Sequence, residues 1–368
     1  KKGASKVALF FQEKINFSAS TLSTSIWGIN SVPKQLLHAI VYSLISIFFF
    51  STSAFAQQQK KPKIGLVLSG GGAKGFAHIG VLKVLEEAGI KIDYIGGTSM
   101  GAVVGGLYAS GYNAAQIDSI FQATDFTKLI NDFIPRSSKN FYERRNEELY
   151  AIVLPFNKMK IGIPEALSKG MYNYNLLSRI TRNVRHINDF NKLPIPFLCI
   201  GTNIETGKEV LLNKGNLAQA MIASSAFPSL FSPVEIDGEI LVDGGVVNNY
   251  PIEEVRKLGA DIIIGVDVQH DLLDRTQLKD ATKILIQITN LHSTERMKKN
   301  VSNTDIYIRP DITQYSVISF DKGKEIITKG EEATFAVFED LKKLVGESAP
   351  YKKPKLVLIP DSLRIKAI

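Results

Sequence analysis

The apolar positions of this chain follow two rhythms. Unbroken β-rich runs at 64–68, 92–95, 197–202 and 261–266 read as strands buried on both faces. Between them lie helical patterns. Ile79, Leu82 and Leu85 recur at three-residue spacing up to Gly89, and a small-residue helix over 102–110 ends at Gly111. Further helices are predicted at 218–225 and at 252–258, the latter closed by Gly259. Such alternation predicts an α/β fold with a parallel sheet and right-handed crossovers. Residues 234–236 and 239–242 flank Asp237-Gly238 and predict a tight hairpin. A helix at 281–297, a strand at 305–308 and one long helix at 324–344 complete the pattern. Residues 112–192 are less regular, with a helical stretch at 117–121 and basic amphipathic stretches at 141–145 and 176–184. They suit either a layer that caps a site and handles substrate or a peripheral helical layer.

The two ends break the pattern. Lys34 and His38 precede the apolar run 39–50, followed by Ser51-Thr52-Ser53 and Ala54-Phe55-Ala56. A charged start, a short greasy core and an A-x-A site predict a secretory signal, with the mature chain beginning at Gln57. The core falls short of the ~20 residues of a comfortable membrane span; an uncleaved anchor is the alternative. The first methionine is Met100, so the reading frame is expected to start earlier or at another codon. The expected organisation is an extension and signal at 1–56, a linker at 57–63, a main domain at 64–346 and the start of a further β-containing domain at 350–368. The expected location is the periplasm or outer membrane, or outside the cell.

Composition changes this picture little. The 368 residues are 45% hydrophobic and 22% charged, ordinary for a globular chain with a substantial core. The net charge of +8 suits weak attraction to anionic lipid, about 1 kcal/mol per Lys or Arg near the surface. The basic residues are scattered with no stacking aromatics among them, which argues against nucleic acid. Cys199 is the one cysteine, which excludes an internal disulfide, and its apolar run reads as core.

The chemistry concentrates in two glycine-framed turns. Gly70-Gly71-Gly72-Ala73-Lys74-Gly75 follows the first strand, and Gly97-Thr98-Ser99-Met100-Gly101 follows the second. The second has the form of a nucleophile elbow, in which a sharp strand-to-helix turn exposes a serine hydroxyl. The helix that follows aims its positive dipole end at the serine and favours a developing oxyanion. The first matches G-x-G-x-x-G at Gly70, Gly72 and Gly75, with Asp93 near the acidic position of a dinucleotide site. That leaves a nucleotide-binding oxidoreductase as one alternative. A ribose-binding strand end has no use for a strained serine turn, however. Successive glycine amides can instead converge on one oxygen as an oxyanion hole, each donor worth roughly 3 kcal/mol in the transition state.

A serine needs a base. Asp243-Gly244-Gly245 follows the predicted hairpin, and His270 and His292 come after it in the Ser–Asp–His order of α/β-hydrolases. His270, at a strand end, has the better local case, while His78 on the first helix reads as a packed residue. A triad esterase is thus a second alternative. A non-catalytic lipid-binding module is a third.

Taken in order, Gly70–Gly75, Gly97–Gly101 and Asp243–Gly245 resemble the motifs of the patatin-like phospholipases. So do Ala223-Ser224-Ser225-Ala226-Phe227-Pro228 and Val246-Val247-Asn248-Asn249-Tyr250-Pro251. The resemblance covers about 64–267, extending toward Leu344. It implies a three-layer α/β/α fold with a mainly parallel central sheet and a Ser–Asp dyad without catalytic histidine. Ser99 would be the nucleophile and Asp243 the base, with the amides of Gly70, Gly71 and Gly72 at the oxyanion. Lys74, Gly75, Gly97, Gly101, Gly244 and Gly245 would support them; Lys74 stands where the family usually has Arg. The implied reaction is hydrolysis of acyl esters of membrane lipids, with no cofactor and no metal. The implied partners are a phospholipid or other acyl-lipid substrate and a membrane surface, with a homodimer left open. The signal and the tail resemble bacterial secreted members in which a POTRA domain and an outer-membrane barrel follow.

Overall fold

The computed structural model describes residues 61–133, 166–269 and 281–345, with shorter described stretches at 35–36, 38–43, 139–142, 144–145, 156–157, 160–161 and 272–276 and single positions at 33, 137, 278, 351 and 353. The signal core beyond residue 43, the cleavage site, Gln57, His270 and the tail from 354 lie outside the described residues. Lys1–Lys61 and Pro62–Ile368 form separate compact units. In the first, the described residues between 35 and 43 are helical and exposed. Among the described residues no helix is long and apolar enough to cross a membrane.

The second unit is built on an eight-stranded mixed sheet in the order β10-β9-β1-β2-β5-β8-β7, with β6 also paired to β5. β1 (Ile64–Leu68) is buried at every position. It lies parallel between β2 (Tyr94–Thr98) and β9 (Ile262–Val266). β5 (Phe197–Asn203) adds parallel to β2, and β10 (Ile306–Ile308) parallel to β9. This parallel run holds the expected apolar strands. The other ladders are antiparallel: β6 (Glu209–Leu212) and β8 (Glu239–Asp243) on β5, and β7 (Val234–Ile236) on β8. The β7–β8 turn has Asp237 and Gly238 at φ of 53° and 81°, the left-handed pair that a two-residue hairpin requires. A small separate hairpin joins β3 (Phe156–Asn157) to β4 (Lys160–Ile161).

The helices cover the sheet. α1 (Ala77–Glu87) buries Ile79, Leu82 and Leu85 completely, and α2 (Met100–Ala109) leaves β2 at Ser99. α3 (Ala114–Ala123), capped by reciprocal Asn113–Gln116 bonds, α4 (Phe126–Ile130) and α5 (Met171–Ile180) follow. Then come α6 (Leu217–Ser224), α7 (Ile252–Leu258), α8 (Ala281–Ser302), α9 (Gly323–Phe335) and α10 (Phe338–Val345).

Two elements depart from the sequence pattern. The second strand runs from Tyr94 through Gly96-Gly97 to Thr98 rather than stopping at Ile95, because ladders on both sides hold it: Leu68 pairs Gly97 and Ile200 pairs Thr98. The single helix expected at 324–344 is two. Thr334, buried, turns its hydroxyl back to the Gly330 carbonyl at 2.7 Å, a bond that bends helices, and the chain breaks after Phe335.

The register sets up the site. Continuing the β2–β5 pairing by one residue levels Ser99 with Gly201, and Gly201 pairs Asp243. The glycine loop leaves β1 at the same end of the sheet, beside β2. Three segments far apart in sequence thus meet at one edge of the core.

Candidate active site

Ser99 sits between β2 and α2 at φ 55°, ψ −124°, a conformation unfavourable for any residue with a side chain. The bend is tight enough that a Cβ on Gly97 would strike the Gly101 carbonyl, and one on Gly101 the Leu68 carbonyl. The elbow is braced from three sides. The Ser99 amide donates to Ser224 Oγ at 3.1 Å, the Thr98 hydroxyl to the Asn248 carbonyl at 2.9 Å, and α2 begins with Ala102 and Val103 amides bonded to the Ser99 carbonyl.

The Ser99 hydroxyl donates to Asp243 Oδ2 at 2.6 Å. Asp243 ends β8, buried, and its other oxygen accepts the Gly245 amide at 2.7 Å. Its own carbonyl accepts the Thr202 hydroxyl at 2.9 Å. Burial pushes its pKa up to about 6, against the pull of the Ser99 and Gly245 bonds. A carboxylate so desolvated is a stronger proton acceptor than one in water.

The glycine loop arrives opposite. The Gly70 amide is already donated to Asn249 Oδ1 at 3.0 Å, and the Gly70 carbonyl accepts from Asn249 Nδ2 at 3.3 Å. Gly70 is therefore a clamp to the Asp243 loop, which corrects its expected place among the oxyanion donors. Among the described residues the amides of Gly71 and Gly72 donate to no protein group. Gly72 has φ 56°, and a Cβ there would strike the Val317 carbonyl. Lys74 is completely buried and lines the same cavity, and Gly75 packs on Met100.

That cavity, about 660 Å³, has Ser99 and Asp243 in its wall. The rest is largely apolar: Leu107, Phe121, Phe126, Leu177, Phe227 and Phe320. Phe126 and Phe320 stack at 4.7 Å between ring centres. Residues 112–192, ambiguous from sequence, supply α3, α4 and α5 to this wall.

The rival readings meet specific obstacles. Asp93 bonds Lys63 Nζ at 2.8 Å and the Ile64 amide at 3.1 Å, at the opposite end of β1 from the glycine loop. It cannot serve a ribose bound at that loop. His78 is buried with Nε2 on the Ser69 carbonyl at 2.8 Å, and burial holds its pKa down to about 4. His186 is exposed. The side chain of His292, like His270, lies outside the described residues. Sequence reasoning did not find the parts played by Ser224, Thr202 and Asn249; serine, threonine and asparagine are too common in loops to announce a brace.

The patatin-like phospholipase family profile matches residues 66–256. The chain belongs to that family. It is 30% identical over 294 residues to "Lysophospholipase NTE1" of Saccharomyces cerevisiae, covering 73% of this chain and 16% of that protein. Against the protein of that name from Scheffersomyces stipitis it is 28% identical over 335 residues, covering 83% and 19%. The chain thus spans less than a fifth of the length of these fungal relatives. Among solved structures it resembles VipD from Legionella pneumophila at 18% identity and a TM-score of 0.43, over 76% of this chain and 67% of that one. Neither the fungal relatives nor this structure speaks for the expected POTRA and barrel domains.

Proposed function

We propose that this chain hydrolyses acyl esters of phospholipids or lysophospholipids through a Ser99–Asp243 dyad. One observation carries the reading: the 2.6 Å hydrogen bond from the Ser99 hydroxyl to a buried carboxylate in the wall of an apolar cavity. An imidazole cannot fit between groups in direct contact, so the arrangement favours a dyad over a triad. Ser99 Oγ attacks the ester carbonyl carbon as its proton passes to Asp243 Oδ2. The carbonyl oxygen, now negative, accepts the amides of Gly71 and Gly72. Collapse expels the alcohol, which takes the proton from Asp243. Water then attacks the acyl-serine, gives its proton to Asp243, and the fatty acid leaves as Ser99 is re-protonated. The acyl chain occupies the cavity. Release of fatty acid from lysophosphatidylcholine and phosphatidylcholine by the wild-type chain, absent with Ser99→Ala, tests this; equal release by both chains refutes it.

The partner surface is a membrane. Leu167 and Ile318 line the cavity yet are 78% and 56% exposed, and Met171 beside Leu167 is 54% exposed. An apolar rim at the mouth of an apolar cavity suits a lipid surface. Co-sedimentation with phosphatidylglycerol-containing vesicles is expected, and its loss in Met171→Asp. Export is proposed from the apolar run and A-x-A site alone; N-terminal sequencing of secreted chain should begin at Gln57, and retained residues 39–50 would favour an anchor.

A further inference from the structure

Behind the site lies a charged cluster that the dyad chemistry does not use. Arg296 of α8 donates from Nη1 to Glu209 Oε2 at 2.6 Å and from Nη2 to Glu254 Oε1 at 2.9 Å. Glu209 begins β6 and Glu254 lies in α7, so one guanidinium ties a strand of the sheet to a helix packed on it. Asn248 Nδ2 reaches both carboxylates, at 3.2 Å each. The three side chains are half-buried or buried, with Glu254 only 8% exposed.

Each arm of the cluster leads to one member of the dyad. The Asn248 carbonyl accepts the Thr98 hydroxyl, one residue before Ser99, and the next residue, Asn249, clamps Gly70. Glu209 pairs in register with Thr202, whose hydroxyl holds the Asp243 carbonyl. Among the described residues, Glu253 and Lys299 also lie on these two helices and pair with each other at 2.9 Å on the exposed side. A planar, permanently charged fork suits this task, since each of its two nitrogens takes one carboxylate in a fixed geometry.

We propose that Arg296 is a positioning residue, a latch that neutralises Glu209 and Glu254 and so fixes the Asn248–Asn249 loop against Thr98, Ser99 and Gly70. Without the guanidinium the two carboxylates face each other across the Asn248 amide. Like charges in partly desolvated surroundings repel, and the loop carrying half the site shifts with them. Burial and the Glu209 charge already raise the proton affinity of Glu254, while Arg296 opposes that rise. Loss of Arg296 therefore favours a proton on Glu254, and its protonation relieves the repulsion.

The proposal rests on Ser99 and Asp243 being the reacting pair, so wild-type hydrolysis of a soluble short-chain ester, abolished in Ser99→Ala, is established first. Arg296→Gln should then lower kcat roughly tenfold to a hundredfold at pH 8 with KM little changed, the scale of a misplaced reacting group. The ratio of variant to wild-type rate should rise as pH falls, since protonation of Glu254 restores the loop. Adding Glu209→Gln to Arg296→Gln should recover most of the rate at pH 8, and Arg296→Lys should show the same pH trend with a smaller loss. Lys299→Gln, on the same helix with an exposed pair, should leave the rate unchanged. Wild-type kcat in Arg296→Gln overturns the latch. So does a pH-independent ratio in Arg296→Gln and Arg296→Lys with no recovery in the double variant, because a packing role would lower stability without either signature.

Discussion

Two strand–turn–helix units stand side by side in the sheet, and they use similar glycine-rich turns for opposite ends. After β2, α2 starts at once: Ala102 and Val103 bond back to the Ser99 carbonyl, the chain reverses sharply, and one side chain projects from the bend. After β1, α1 is delayed. A 3₁₀ turn over Gly72–Phe76 intervenes, and the chain lays out Gly71 and Gly72 with their amides uncommitted among the described residues. Where the helix's own hydrogen bonds begin decides whether a turn presents a side chain or backbone donors. The two turns share one end of the sheet, and Asn249 clamps one to the loop whose Asp243 accepts the serine hydroxyl of the other.

The largest effect should come from the projecting side chain. Ser99→Ala should lower ester hydrolysis by at least roughly 10⁴-fold, as removal of a nucleophile acting in a unit does, with unchanged circular dichroism. A residual rate near wild type would mean that the elbow is architecture only. The donor turn should be next. Gly72→Ala puts a Cβ against the Val317 carbonyl at a left-handed φ, so the loop moves and its amide is lost. A loss in kcat of about 10²- to 10³-fold is expected. Melting at or above the wild-type temperature with full activity would remove Gly72 from the account.

The base offers a different contrast, since function and stability should part there. The Asp243 carboxyl has an ordinary pKa of 3.8 and a folded value raised to about 6. Its folded form binds the proton more tightly, so the cost of the buried charge is absent below the lower value. It grows as pH rises between the two and is complete above about 6. The cost is on the order of 3 kcal/mol at neutral pH. Asp243→Asn should therefore be inactive yet melt higher than wild type at pH 8, with no difference at pH 4. A lower melting temperature at pH 8 would show that the carboxylate is structural.

The smallest effect concerns the tail. Tyr351 donates its amide to the Gly89 carbonyl at 3.0 Å, and Lys353 Nζ bonds the Tyr108 carbonyl at 2.7 Å, at the far ends of α1 and α2. A chain ended at Gly346 should keep its activity and lose a few degrees of melting temperature, about 1 kcal/mol per bond. An unchanged melting curve would make these contacts incidental.

These contrasts also mark how far the sequence could be read. The runs at 64–68, 197–202 and 261–266 were legible because burial on both faces of the sheet keeps them almost wholly apolar. Ser99, Asp243 and the glycine loop stood out because each is flanked by glycines, where a left-handed φ or a close approach to neighbouring backbone excludes a side chain. The end of β2 was not, since Gly96-Gly97 looks like a strand breaker until neighbours pair it on both sides. Gly70 was assigned as a donor because nothing local reveals that Asn249, far along the chain, already holds its amide. Arg296 was unreadable for the same reason: its partners lie on β6 and α7, and only the fold brings them to α8. The cavity-lining role of 112–192 stayed one of two readings, because those helices have mixed surfaces whose apolar residues serve both core and cavity.

The central claim is that Asp243 takes the proton of Ser99. The most direct measurement is the pH dependence of the rate at which a fluorophosphonate modifies Ser99. The account predicts a rate that rises with pH through a single midpoint near about 6 and survives in His270→Ala and His292→Ala. It predicts that Asp243→Asn loses both the rate and the midpoint. A midpoint kept in Asp243→Asn, or lost in either folded histidine variant, would contradict it.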